Sequence, residues 1–221
     1  MKKLFFTLLL AVTLSATAYS QNIGIIAGGG TSFMFWKSTN AEENKTINDD
    51  FLPIYSYNAG FSFENGLIDK KLYLQFGLFA MRKGYDYKEE VTGYEMFMHM
   101  HYFHLPLELK YKFFFDADEE FSFNIGAGGY FGGGFGGTKG FTGSDLIPGF
   151  DPKVEFGKTS GEDMRDIDYG LQFRGEMGLS NFRLGYCYGL GLANANLQNP
   201  DAVKETHRYH QLYIGYYFSN N

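Results

Sequence analysis

One cysteine (Cys187), five prolines and one tryptophan are all that this 221-residue chain holds of three informative residue types. A lone cysteine forms no internal disulfide and excludes a cysteine-based zinc site. Cations are scarce as well: 19 Lys and Arg stand against 25 Asp and Glu, a net charge of −6. That balance argues against a nucleic-acid partner, because phosphate contacts need clustered Lys and Arg. Beyond the N-terminal leader no apolar run reaches the length of a spanning helix. What the chain does have is 29 Gly, 24 Phe and 17 Tyr. Disordered chains lack such aromatic content. A helix bundle is disfavoured too, since each interior helical Gly costs about 1 kcal/mol and aromatics prefer strands.

The first twenty residues read as an export signal. Met1-Lys2-Lys3 is a short basic start. Leu4 to Leu14 is apolar apart from Thr7 and Thr13, and Ala18-Tyr19-Ser20 places small residues for a cut before Gln21. The apolar run is too short for a membrane anchor, and no cysteine at the cut offers a lipid attachment point. Residues 1–20 are therefore expected to be a signal peptide and 21–221 a single domain.

The remainder alternates with period two. Tyr55, Tyr57, Ala59, Phe61 and Phe63 interleave with Ser56, Asn58, Gly60, Ser62 and Glu64. Leu105, Leu107, Leu109, Tyr111 and Phe113 interleave with Pro106, Glu108, Lys110 and Lys112. The same pattern runs through 72–80, 121–128, 169–179, 182–191 and 211–218, and more weakly through 22–36. That makes eight strands. Their connections alternate between long (37–50, 85–94, 137–166, 194–206) and short (65–70, 116–120, 180–181). An up-and-down antiparallel sheet places all short turns at one end and all long loops at the other, the layout of an outer-membrane barrel. The predicted fold is all-β: an eight-stranded antiparallel up-and-down transmembrane β-barrel.

Alternation alone does not say which face looks outward, and a soluble barrel with an apolar interior has the same period. Here the polar face is rich in Gly, Ser, Asn and Gln, which suits a crowded interior better than a hydrated exterior. Tyr and Phe gather near strand ends, as lipid-interface girdles require. The last strand closes on Phe218. An eight-stranded lumen is just wide enough to be filled by side chains. Glu64, Glu108, Glu176, Lys110, Lys112, Arg174 and Arg183 are the candidate lumen charges, with Lys83 an additional one. In a narrow, dry space opposite signs should pair, giving a structural plug in preference to a gated ion path. Pro106, which cannot donate to a ladder, predicts a bulge or locally broken pairing.

Several stretches in order resemble the PorT-like outer-membrane β-barrel proteins of Bacteroidota. They are Leu72-Tyr73-Leu74-Gln75 through Arg82-Lys83-Gly84-Tyr85; Tyr102-Phe103-His104-Leu105-Pro106-Leu107 through Lys110-Tyr111-Lys112-Phe113; Asp168-Tyr169-Gly170 through Arg183-Leu184-Gly185-Tyr186 and Gly189-Leu190; and His207-Arg208 through Leu212-Tyr213-Ile214-Gly215-Tyr216-Tyr217-Phe218. The resemblance covers essentially the whole mature chain. Departures are the glycine-rich 132–137 and the long 137–166 connection. It implies outer-membrane lipid as surroundings and envelope or secretion-complex proteins as partners, because the name-giving member is implicated in a secretion system. It carries over no catalytic set.

No motif assigns a reaction. In Met96-Phe97-Met98-His99-Met100-His101 thioethers and imidazoles suit copper, yet consecutive strand residues point apart. The reading is lipid-facing methionines and rim histidines, with His207 and His210 likewise at the rim. His101, His210, Ser144, Asp163 and Asp166 are the groups an enzyme would have to gather near the external loops, without a motif to fix them. Gly132-Gly133-Gly134 lacks the Lys-Ser/Thr and helix of a phosphate loop. The acidic 145–166 stretch matches no EF-hand and reads as a solvated loop. No metal, cofactor or catalytic residue is expected. The expected role is a non-enzymatic structural, interaction or secretion-accessory barrel. The alternatives are an enzyme acting on lipid or peptide at the external rim, or a narrow solute pore.

Overall fold

The computed structural model describes residues 22–38, 48–68, 71–89, 92–116, 120–142, 150–197 and 202–219. The leader and the cut before Gln21 lie outside the described residues. The strands are β1 (Asn22–Ser38), β2 (Phe51–Leu52), β3 (Ile54–Ile68), β4 (Leu72–Lys88), β5 (Glu95–Phe114), β6 (Phe121–Phe141), β7 (Phe156–Gly157), β8 (Met164–Arg165), β9 (Ile167–Leu179), β10 (Phe182–Gly191) and β11 (Val203–Ser219). Eight of them form one antiparallel ring in the order β1-β3-β4-β5-β6-β9-β10-β11. The ring closes where β1 pairs with β11, from Asn22↔Ser219 to Ser38↔Val203. Among the described residues no helix is long and apolar enough to cross a membrane; the crossing is made by strands.

Side-chain burial settles which face looks where. Leu107 is 56% exposed and its neighbour Glu108 only 1%. The same inversion runs round the ring. Ile25, Phe61, Phe123, Leu171, Leu184 and Ile214 point out, while Ser62, Gln75, Asn124, Gln172 and Gln211 are buried. In water such a molecule would be inside out. In lipid it is the low-energy arrangement, because the apolar band meets acyl chains and a closed ring leaves no unpaired edge. On β5 the apolar wall runs from Phe113 through Leu107 to Phe103, and His101 stands next above it.

The turns at one end are tight. Lys71 N–H donates to Ile68 O at 2.9 Å. Ser180, the one non-glycine residue with positive φ among those described (49°), makes the β9–β10 hairpin. At the other end the strands outrun their sequence boundaries. β6 continues through glycines to Phe141, and β4 and β5 shorten their connection to residues 89–94. Glycine-poor alternation marks a strand in sequence, but here hydrogen bonding to both neighbours carries the glycine-rich stretch. β5 and β6, 20 and 21 residues long, exceed the roughly 9–11 residues needed to cross a bilayer. They therefore stand above the membrane as a wall. In the described part of the β6–β9 connection, from residue 150 on, β7 and β8 pair in parallel, and Lys153 bridges to Thr138 of β6.

At Pro106 the ladder to β4 is interrupted between Phe76↔Leu107 and Phe79↔His104 without a change of register. The bulge lies higher, where Phe135 of β6 is the extra residue opposite His101 and Tyr102. Its ring lies 4.4 Å from that of Phe103.

Candidate functional site

The lumen is built from alternate residues of every strand. Its charges are four carboxylates (Glu64, Glu108, Asp168, Glu176) and four cations (Lys83, Lys110, Lys112, Arg174), all buried. Lys110 Nζ lies 2.5 Å from Glu64 Oε1 and also donates to Glu176 Oε2. Lys112 reaches the other Glu64 oxygen at 2.7 Å. Arg174 Nε donates to Glu108 Oε2 at 3.0 Å, and Tyr213 O–H to Glu176 Oε1 at 2.7 Å. From Glu108 the chain of bonds continues upward: Gln172 Nε2 donates to Glu108 Oε1 at 2.9 Å, and Tyr209 O–H to Gln172 Oε1 at 2.6 Å. His104 Nε2 sits 2.9 Å from the same Gln172 oxygen. Nearer the loop end Lys83 meets Asp168 at 2.6 Å under the ring of Tyr130, 4.4 Å from its centroid.

Arg183 differs from the other sequence candidates. It lies at the β9–β10 turn and donates to the carbonyls of Ser180 (2.5 Å) and Phe182 (2.9 Å). Its guanidinium is 5.5 Å from the Tyr217 ring centroid. Through these two bonds it caps the hairpin. Asp168, the partner of Lys83, was not singled out in the sequence. It continues the polar series Gly170, Gln172, Arg174, Glu176 by one step toward the loops, and that extension was the available signal.

Between the charges stand tyrosines, each seated on a glycine. Tyr209 pairs across the ladder with Gly189, Tyr213 with Gly185, Tyr217 with Gly24 and Tyr130 with Gly170. A Cβ on any of these four glycines would run into the facing ring. The glycines are thus the sockets of the rings that fill the lumen, the cross-strand counterpart of close core packing.

In the methionine–histidine string the methionines at 98 and 100 are placed opposite to their sequence reading. Met98 and Met100 are buried inside, while His99 and His101 point outward. The frame set by Glu108, Lys110 and Lys112 runs unbroken up β5, so the even residues face inward whatever their polarity. Met34, Met98, Met100 and Met164 pack with Tyr85, Tyr102 and Val154 beneath the external loops. Of the two late histidines, only His210 is on the outer surface, hydrogen-bonded to Tyr186. His207 is not a rim residue: it is buried, its ring 5.8 Å from that of Tyr102. Inward-pointing His207 simply follows Tyr209, Gln211 and Tyr213 in the same frame.

Among the described residues, the two histidines an enzyme would need stand apart. His101 shares a hydrogen bond with Tyr57 on the outer face of β3 (3.0 Å), and His210 engages β10. In ring order β1, β3 and β4 stand between these two histidines. Asp163 is held by Lys139 at 2.6 Å. Ser144 lies outside the described residues. Among the described residues no three His, Cys, Asp or Glu side chains are grouped to hold a metal ion. In the β7–β8 loop Thr159 donates its hydroxyl and its N–H to Glu162, which holds that exposed carboxyl below the usual range.

A closed eight-stranded ring with a lipid-facing apolar band and a charge-filled lumen defines an integral outer-membrane β-barrel protein. The sequence agrees: residues 18–193 match the model of the outer membrane protein β-barrel domain family, and the chain belongs to that family. No curated protein matches it. Among solved structures it is similar to OprG of Pseudomonas aeruginosa, at 12% identity over 91% of this chain and 98% of that one, with a TM-score of 0.49. It is also similar to Neisserial surface protein A, at 13% identity over 89% and 96%, TM-score 0.47. A further similar structure is the attachment invasion locus protein Ail of Yersinia pestis bound to the heparin analogue sucrose octasulfate, at 13% identity over 89% and 98%, TM-score 0.41.

Proposed function

We propose that this chain is a non-enzymatic barrel whose lumen is shut by its own side chains and which acts through its loops or turns on another envelope protein. The observation that carries this reading is the lumen itself: four buried anions matched by four buried cations, joined into chains of hydrogen bonds and wedged by tyrosines. An ion crossing it would have to break pairs whose partners are then left charged in a low-dielectric space, at a cost of several kcal/mol. Glu64, Glu108, Lys110, Lys112, Arg174 and Glu176 serve in this reading as a structural plug, with Arg183 closing the turn beneath it. The resemblance to PorT-like barrels supports an accessory place in a secretion or envelope complex. The tall β4–β5–β6 wall gives such a partner a rigid surface above the membrane.

Two measurements test it. Purified barrel in a planar bilayer should give no stable single-channel steps; reproducible steps would refute the plug. Tagged protein drawn from outer membranes should bring down a defined envelope or secretion component. Recovery of the barrel alone, after crosslinking, would remove the accessory role.

A further inference from the structure

Just above the lumen plug the external mouth holds a cavity of about 340 Å³, within the size range of small-molecule sites. Tyr85, Phe141, Met96, Met98 and Met164 give its lining an aromatic and thioether part, and Lys139 lines it as well. Two acids face it, and they differ in one respect. Asp163 is neutralised by Lys139 at 2.6 Å. Glu205 has no cation within ion-pair distance among the described residues.

Glu205 is nonetheless held in place. Asn196 Nδ2 donates to its Oε1 at 2.8 Å, and its own N–H donates to Asn194 Oδ1 at 2.9 Å. The backbone of the β10–β11 connection grips it again, Ala195 N–H donating to Glu205 O at 2.8 Å. Burial pushes the Glu205 carboxyl up from the usual carboxylate range, and a cation placed against it would favour its charged form. Every charge of the plug below has its counterpart, so the imbalance is local to the mouth.

We propose that this cavity binds a small organic cation: a primary or quaternary ammonium carrying an aromatic or short alkyl body. The ammonium meets Glu205, and the lining residues Tyr85 and Phe141 are of the aromatic type that attracts cations. The body lies on Met96, Met98 and Met164, whose unbranched thioethers adapt to varied shapes. A bare metal ion fits poorly, because one carboxylate among carbon and sulfur offers too few oxygens. An anion is disfavoured, because Glu205 faces the cavity and the lining Lys139 is already taken by Asp163. This inference goes beyond the closed-barrel reading and does not depend on the lumen's conductance.

The test uses the whole chain in nanodiscs of zwitterionic lipid and ligand-detected saturation-transfer NMR. Three probes of one size are compared: phenethylamine, 2-phenylethanol and phenylacetate. The amine should show saturation with the order amine, alcohol, acid. Glu205→Gln should weaken amine binding about tenfold or more, the loss of a charge-assisted hydrogen bond, while keeping heat-modifiable migration. Met98→Trp, which fills the cavity, should abolish binding of all three. If Glu205→Gln does not fold, the amine-over-acid order in the unaltered protein decides. Equal signals from amine and acid, no signal from any probe, or an unchanged titration in either folded variant would overturn the proposal.

Discussion

The lower and upper halves of the lumen share one alternating frame yet are built from opposite materials. Toward the turns, Lys110 joins Glu64 to Glu176 and Arg174 holds Glu108, so each of these charges meets its opposite. Toward the loops, thioethers and rings replace them around Met100 and Tyr102, and a cavity opens beside Glu205. The difference teaches that inward position, and not polarity, is what the barrel imposes. Where the ring is sealed by lipid, an inward charge must find its opposite within the lumen. Above the membrane the apolar residues can pack with the loops, and the mouth becomes a small globular core of its own.

That contrast can be broken at several points, in order of expected effect. Lys110→Met should cost about 3–5 kcal/mol, because it leaves Glu64 and Glu176 buried with too few cations. Urea-dependent unfolding in lipid vesicles measures it, and a loss under 1 kcal/mol would mean water reaches the lower lumen. On the lipid side Leu107→Arg, halfway along the apolar stretch of β5, should cost about 2–4 kcal/mol. The same change at Phe97, above the membrane, should cost much less; equal effects would misplace the bilayer. Gly189→Val drives a side chain into the ring of Tyr209, and overpacking of that kind costs about 1–3 kcal/mol. Paired with Tyr209→Ala, the double variant should regain part of the loss in an unfolding titration. Smallest is Met100→Leu in the upper cluster, a volume-conserving change expected to stay below about 1.5 kcal/mol. A larger penalty there would show that the mouth is as tightly specified as the plug.

Much of this was legible along the chain because the strand pleat is local. Leu107 and Glu108 had to face opposite ways, and the alternation of short and long connections set the strand order. The same rule was available at Met98 and His207, but polarity misled there: an inward methionine or a buried histidine looks wrong until the loops that cover it are seen. The extension of β6 to Phe141 was hidden because glycines carry little strand preference and are held by pairing on both sides. Arg183 shows the remaining limit. Its face was readable, but whether it reaches a carboxylate or a turn carbonyl depends on what stands near its tip.

The sequence by itself determined eight strands, their order and the face of nearly every side chain, since each follows from a period of two residues and the spacing of turns. Only the closed ring decided that Lys110 lies between Glu64 and Glu176 and that Lys83 meets Asp168. Those partners are far apart in the chain, and the stagger between strands that brings them level is set when the first strand bonds to the last.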